Sequence, residues 1–315
     1  MSPLERMRGV MAALLLPRDA QDRPHWEAFD RNARFLLRLG VSGLCVNGAT
    51  GEFAGATAGE RREATARARR MAGDSGLVLS GVGASRWTEV LRLAREAQDA
   101  GADAVLLPAP HFYHYEPGDL AEFYRRTAAE LRMPVLIYNL PTFTGGLDAE
   151  LATELIREVD GIVGIKDSSG DLTMLESLSL GNSASAVRLV GNDSVLVEAL
   201  ARGLCDGAIS GVAGVVPELT LALWNSAGNG GQSRFASIGT RQEALLRRLN
   251  EFPAPWGLKL IAELRGGGPA TFALPLSARR REQADEFLAW FPHWWRDAEE
   301  ELAKTLSAEV KLNAG

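Results

Sequence analysis

One lysine, one tyrosine and one glycine-rich turn carry the chemistry that this sequence offers. Lys166 ends the apolar run Ile162-Val163-Gly164-Ile165, in a chain that otherwise favours arginine. Of its 34 basic residues only four are lysines, and the other three (Lys259, Lys304, Lys311) all follow residue 258. An ammonium is costly to bury, so an apolar setting is expected to press the pKa of Lys166 down. At the ordinary value of ~10.4 about 0.04% of the amine is neutral at pH 7, whereas at ~7 about half is, a gain of ~10³ in nucleophile. Taken singly, Lys166 could equally snorkel from a strand end or pair with Asp167.

Tyr138 lies in LIYNLPTFTG (136–145), at the end of an apolar run that Pro141 forces to stop. A tyrosine there can pass a proton within a dry pocket, or it can be a packed aromatic with a satisfied hydroxyl. The turn NGATGEF (47–53) has Gly48 and Gly51 where the backbone must fold tightly. Successive N–H groups at Gly48, Ala49 and Thr50, with the Thr50 hydroxyl, could cradle a carboxylate, although an ordinary turn reads the same way. TAGE at 57–60 has capping-box spacing and marks a helix start just beyond.

These three features belong to a regular rhythm. Short apolar runs fall at 10–16, 43–47, 77–81, 104–107, 135–139, 162–166, 188–190 and 207–210. Amphipathic stretches fall between them at 26–39, 60–72, 88–100, 120–131 and 149–159. Near-continuous apolar strands imply a parallel sheet covered by helices, and eight βα-sized units predict a closed α/β barrel, (β/α)8, carrying its site at the strand ends. A doubly wound sheet is disfavoured because Gly81-Val82-Gly83 is not completed to a nucleotide fingerprint. Helical patterns at 219–227, 241–250, 258–264 and 280–302 predict a helical C-terminal extension, dividing the chain into a barrel over 1–220 and a helical domain over 221–315. Tyr138 and Lys166 are 28 residues apart, one βα unit, so they are expected on adjacent strands at one barrel face. Amine, proton shuttle and carboxylate cradle together suit Schiff-base chemistry on a 2-oxo acid.

Composition narrows the field. The net charge of −6 without long like-charged blocks argues against nucleic acid and anionic membranes. Cys45 and Cys205 sit far apart in apolar settings and read as reduced thiols. Arg6 and Arg8 precede the apolar stretch 9–16, but Pro17 and charged residues follow it, so it reads as a strand and not as a leader peptide. A cytoplasmic protein is expected. His111 and His114, in an aromatic loop without carboxylate or cysteine at ligand spacing, make a poor metal pair, so no metal is expected.

GATGE at 48–52, GVGAS at 81–85, YNLPTFTG at 138–145, GIKDSSGD at 164–171 and DGAISGVAGVVPE at 206–218 occur in an order and spacing that resemble the dihydrodipicolinate synthase / N-acetylneuraminate lyase family. This family comprises class I, pyruvate-dependent aldolases, and the resemblance covers nearly the whole chain. It implies a TIM barrel with a C-terminal helical domain, a homotetramer or homodimer, and no cofactor beyond the covalent lysine imine. It also implies Lys166 as the Schiff-base lysine and Tyr138 as the catalytic tyrosine. Gly48, Ala49 and Thr50 would hold the 2-oxo acid carboxylate, with Ile209 and Phe143 lining the pocket.

Three positions depart from the dihydrodipicolinate synthase pattern. Ala49 stands where those enzymes usually have a second threonine, Phe112 near their relay tyrosine, and Phe143 at their aldehyde-binding arginine. Tyr113 or His111 could replace the relay. The departures favour reversible cleavage of a 2-keto-3-deoxy sugar acid or a 4-hydroxy-2-oxoglutarate-type substrate to pyruvate, or glyoxylate-type products, plus an aldehyde. The alternatives are dihydrodipicolinate synthase activity with aspartate semialdehyde, a pyruvate-binding protein that has lost turnover, and a pyridoxal phosphate barrel.

Overall fold

The computed structural model describes residues 3–180, 186–227 and 232–312, with side chains from 4 to 302. Eight parallel strands, β1 (Gly9–Ala13), β2 (Gly43–Val46), β3 (Leu77–Gly81), β4 (Ala104–Pro108), β5 (Val135–Asn139), β6 (Ile162–Asp167), β7 (Val187–Val190) and β8 (Gly207–Ser210), close into a barrel in chain order. All eight expected strands are present. The first is shorter than its apolar run: Leu14–Leu16 stay buried beyond its end, and the Leu14 N–H makes a last bond to the Cys45 carbonyl at 2.9 Å. The helices are α1 (Pro3–Arg6), α2 (Trp26–Arg38), α3 (Ala58–Ala72), α4 (Trp87–Asp99), α5 (Pro117–Glu130), α6 (Ala149–Glu158), α7 (Thr173–Leu180), α8 (Leu196–Ala201), α9 (Pro217–Ser226), α10 (Gln232–Leu249), α11 (Trp256–Leu264) and α12 (Ala278–Leu312). The capping box expected at 57–60 opens α3, with the Thr57 and Glu60 side chains each bonded to the other's backbone N–H.

Strand alternation sorts side chains into two layers. On β4, Ala104 and Leu106 enter the barrel interior, while Val105 and Leu107 meet the helices. On β5, Leu136 and Tyr138 point inward and Val135 and Ile137 outward. Strand β6 breaks the alternation: Ile162 faces the helices and Val163 the interior, yet Ile165 faces the helices again. The pairing with β5 explains this, since Val135 matches Ile162 while Leu136 matches Gly164, leaving Val163 as an extra residue in a bulge. Counted from Ile162 without the bulge, Lys166 would point into the helix layer. With it, Lys166 pairs with Tyr138 and points inward beside it.

The bulge needs a glycine. Gly164 has φ +155°, and a Cβ added there would lie 2.1 Å from the Val187 carbonyl oxygen. The C-terminal helices continue the barrel's outer layer, because one apolar cluster runs from strands β4–β8 into α9–α12. On α12 the aromatic residues Phe287, Trp290, Phe291 and Trp294 recur at helical spacing and pack on one another. Helix α10 begins nine residues before the expected 241, since its polar first turns carry no apolar periodicity. Among the described residues no helix is long and apolar enough to cross a membrane.

Gly164→Ala is expected to lower folding stability by roughly 3 kcal/mol, from the backbone clash and the strained φ. Urea denaturation would measure this, and an unchanged midpoint would contradict the role assigned to the bulge.

Candidate active site

Lys166 is 3% exposed and its Nζ lies 4.3 Å from the centroid of the Tyr138 ring. It neither snorkels nor pairs with Asp167, which alternation sends to the other face of β6. The Asp167 carboxylate accepts hydrogen bonds from Asn139 Nδ2 at 2.7 Å and Ser169 Oγ at 2.6 Å, a link that ties the ends of β5 and β6 together. Room for the lysine comes from Gly191, where a Cβ would sit 2.7 Å from Lys166 Cε and 2.2 Å from Ser168 Oγ.

The expected downward shift of the Lys166 pKa is reversed. Burial does pull it down, but Tyr138 and Cys45, then Asp193, pull it up by more, and the net direction is above the ordinary lysine value. The apolar run in the sequence concealed these polar neighbours, which come from other strands. Asp193 is held in place: its carboxylate accepts from the Ser210 hydroxyl and from the Val212 N–H at 3.2 Å. Its backbone carbonyl accepts from Gln242 Nε2 of α10 at 3.0 Å. Burial raises the pKa of the Asp193 carboxyl, against the lowering effect of these bonds and of Lys166. Burial likewise raises that of the Cys45 thiol.

The turn after β2 supplies donors. Asn47 adopts φ +58°, a left-handed conformation that asparagine tolerates, and its side-chain amide donates to Arg61 O, Thr65 Oγ1 and Ser80 Oγ. The amides of Gly51, Glu52 and Phe53 are used inside the turn, on the Gly48 and Ala49 carbonyls. Those of Ala49 and Thr50 find no acceptor among the described residues. The Glu52 side chain is paired with the Lys259 ammonium, which also donates to the Thr271 carbonyl at 2.7 Å, so α11 is fastened to this turn.

Lys166, Tyr138, Ala49, Thr50 and Phe143 line one cavity of about 360 Å³ at the strand ends. Gly48 is buried just behind that wall, and Ile209 is fully enclosed in the barrel interior with Tyr138 and Cys45. Neither belongs to the lining. Phe112 and Tyr113 are 83% and 62% exposed, and His111 packs edge-on against Phe53, so within one chain none of the three reaches the cavity. Among the described residues no three His, Cys, Asp or Glu side chains cluster as a metal site would require.

Sequence reasoning missed Ser168, Gly191, Asn192 and Asp193 in the lining, together with a wall from α10, α11 and the segment joining them. The first four stand directly after β6 and β7, so asking what every strand end delivers would have found them. The helical wall has no local signal, because apolar residues there read as ordinary core.

The pattern that defines the Dihydrodipicolinate synthetase family matches residues 6–291. The 4-hydroxy-tetrahydrodipicolinate synthase of Methanosarcina barkeri (strain Fusaro / DSM 804) is 32% identical over 85% of this chain and 92% of its own length. An uncharacterized DapA-like lyase of Halobacterium salinarum is 30% identical over 86% and 88%. The crystal structure of dihydrodipicolinate synthase from Aquifex aeolicus superposes with a TM-score of 0.85 at 25% identity, covering 91% of this chain and 98% of that one. With the closed barrel and the family pattern in agreement, the chain belongs to the dihydrodipicolinate synthetase family, a family of lyases.

Proposed function

We propose that the protein is a class I aldolase that forms an imine between Lys166 and a 2-oxo acid and reversibly cleaves a 4-hydroxy-2-oxo acid to pyruvate plus an aldehyde. The observation that carries this reading is the juxtaposition of Lys166 Nζ, 4.3 Å from the Tyr138 ring, with the free turn amides and Thr50 in one cavity. Membership in the family supports it, and covalent lysine chemistry needs no metal.

The substrate carboxylate docks on the Thr50 hydroxyl and the Ala49 and Thr50 amides, which sets C2 before the amine. Lys166 rests as an ammonium, so it must first lose a proton to water before it can attack. The amine adds to C2, its own N–H proton passes to the former carbonyl oxygen, and the Tyr138 phenol donates the second proton with which that oxygen leaves as water. The resulting iminium draws the electron pair of the C3–C4 bond onto nitrogen. The aldehyde departs as the Tyr138 phenolate takes the C4 hydroxyl proton, which restores the phenol, and the enamine is reprotonated at C3 by water. Water then releases pyruvate and restores the lysine. The nearest competing reading is condensation of pyruvate with aspartate semialdehyde, favoured by the name of the Methanosarcina barkeri relative. Phe143, which lines the cavity where a cation would serve that substrate's carboxylate, weighs against it.

Lys166→Arg should abolish borohydride-trapped pyruvate adduct, read as intact mass, because a guanidinium cannot form the imine. Retained adduct in that variant would refute the assignment. Tyr138→Phe is expected to lower kcat by about 10²–10³ while pyruvate still protects the protein against thermal unfolding; unchanged kcat would remove Tyr138 from the proton path. The upward pull on Lys166 has a definite pH signature, since only the neutral amine attacks. The rate of imine formation, sampled by rapid borohydride quench, should climb about tenfold per pH unit from about pH 6 to about 9. A plateau beginning near neutrality would mean that the amine is already free.

A further inference from the structure

The far half of the cavity has a chemistry of its own. Beyond Lys166 its wall is built by the end of α10, the turn after it and the start of α11; Leu246, Leu249, Phe252, Pro253 and Leu258 are its larger apolar residues, interrupted by the neutral Asn250. Phe143 joins them from the loop after β5 and is 53% exposed, an aromatic surface left open at the mouth. Among the described residues the lining contains no arginine or histidine, and its charged side chains are Lys166 and Asp193. Lys166 is consumed as the imine, and Asp193 would repel a second anion. Lys259, next in sequence to Leu258, is 6% exposed and already engaged by Glu52 and the Thr271 carbonyl. A carboxylate at the distal end of a substrate would therefore be desolvated with no cation to receive it.

The lining carries neutral donors, among them Thr142, Ser168, Asn192 and Asn250, and of these four Ser168 is the one beside the lysine stem. Ser168 Oγ is buried without a hydrogen-bond partner among the described residues, and it stands close to Lys166 beside Gly191. An aldehyde oxygen, or the C4 hydroxyl it becomes, would satisfy it.

Resting on the imine reading above, we propose that the aldehyde taken by this enzyme is uncharged and carries an apolar body, aryl or branched alkyl, with no second carboxylate. In the condensing direction C3 of the enamine bonds to the aldehyde carbon, and the carbonyl electron pair moves to oxygen. That oxygen takes one proton, and one water hydrolyses the iminium to give the 4-hydroxy-2-oxo acid. The apolar wall holds the body of the aldehyde and Ser168 meets its oxygen. This departs from the expectation of a sugar acid or a 4-hydroxy-2-oxoglutarate-type substrate.

The test offers the full-length protein pyruvate with benzaldehyde, glyceraldehyde or succinic semialdehyde, and compares kcat/KM for aldol product. The expected result is benzaldehyde fastest and succinic semialdehyde slowest, with the two separated by about 10²-fold. Phe143→Arg should narrow that gap at least tenfold by giving the carboxylate a partner. Succinic semialdehyde equal to or better than benzaldehyde, or glyceraldehyde outpacing it, would overturn the proposal. Pyruvate adduct formation is measured in parallel without aldehyde. Adduct without turnover of any aldehyde overturns this inference but leaves the imine intact, whereas absence of adduct overturns both.

Discussion

The extra residue that β6 carries at Val163 is the constraint on which the site depends, because it decides the direction of every later side chain on that strand. Only with the bulge does Ile165 return to the helix layer and Lys166 enter the barrel beside Tyr138. The bulge in turn rests on Gly164, which alone allows β7 to approach within ladder distance. Asp167 is carried to the opposite face by the same alternation, where it links β6 to Asn139 instead of neutralising the amine. Gly191 then leaves the space that the lysine stem fills. A small irregularity in one strand thus sets up the amine, its neighbour and its cavity.

Electrostatics at this amine are a balance between burial and its titratable neighbours. Desolvation alone would favour a neutral lysine, and that is what an apolar run suggests. The folded barrel adds Tyr138 from β5, Cys45 from β2 and Asp193 from the loop after β7, and their summed pull is larger. Ser210 and the Val212 amide hold Asp193 in position, and Gln242 ties it to α10. Beside the shared apolar cluster, two polar links join the C-terminal helices to the catalytic end of the barrel, Gln242 to the Asp193 carbonyl and Lys259 to Glu52.

Much of this was legible before folding. Eight apolar runs became eight strands, most within a residue of their expected ends, because a doubly buried parallel strand has few ways to be written. The separation of Tyr138 and Lys166 by one βα unit became register pairing on adjacent strands. The bulge was not legible, since Val163 reads like any strand residue and a glycine in a strand has several meanings. The electrostatic environment of Lys166 was misread because its neighbours are contributed by residues 27 to 121 positions away. Gly48 and Ile209 lie within the motifs, but the lining is formed by residues one and two positions further on, Ala49 and Gly211. The helical wall of the cavity was invisible, because Leu246, Leu249 and Leu258 look like core until the helices are placed.

Among the described residues two lysines are buried, and they make the decisive comparison. Lys166 faces the cavity and Lys259 is spent on Glu52. Peptide mapping by mass spectrometry of protein reduced with borohydride in the presence of pyruvate distinguishes them directly. The account requires the added three-carbon unit on the peptide that contains Lys166 and nowhere else. A modification on Lys259, or an unmodified Lys166 peptide from protein saturated with pyruvate, would contradict it.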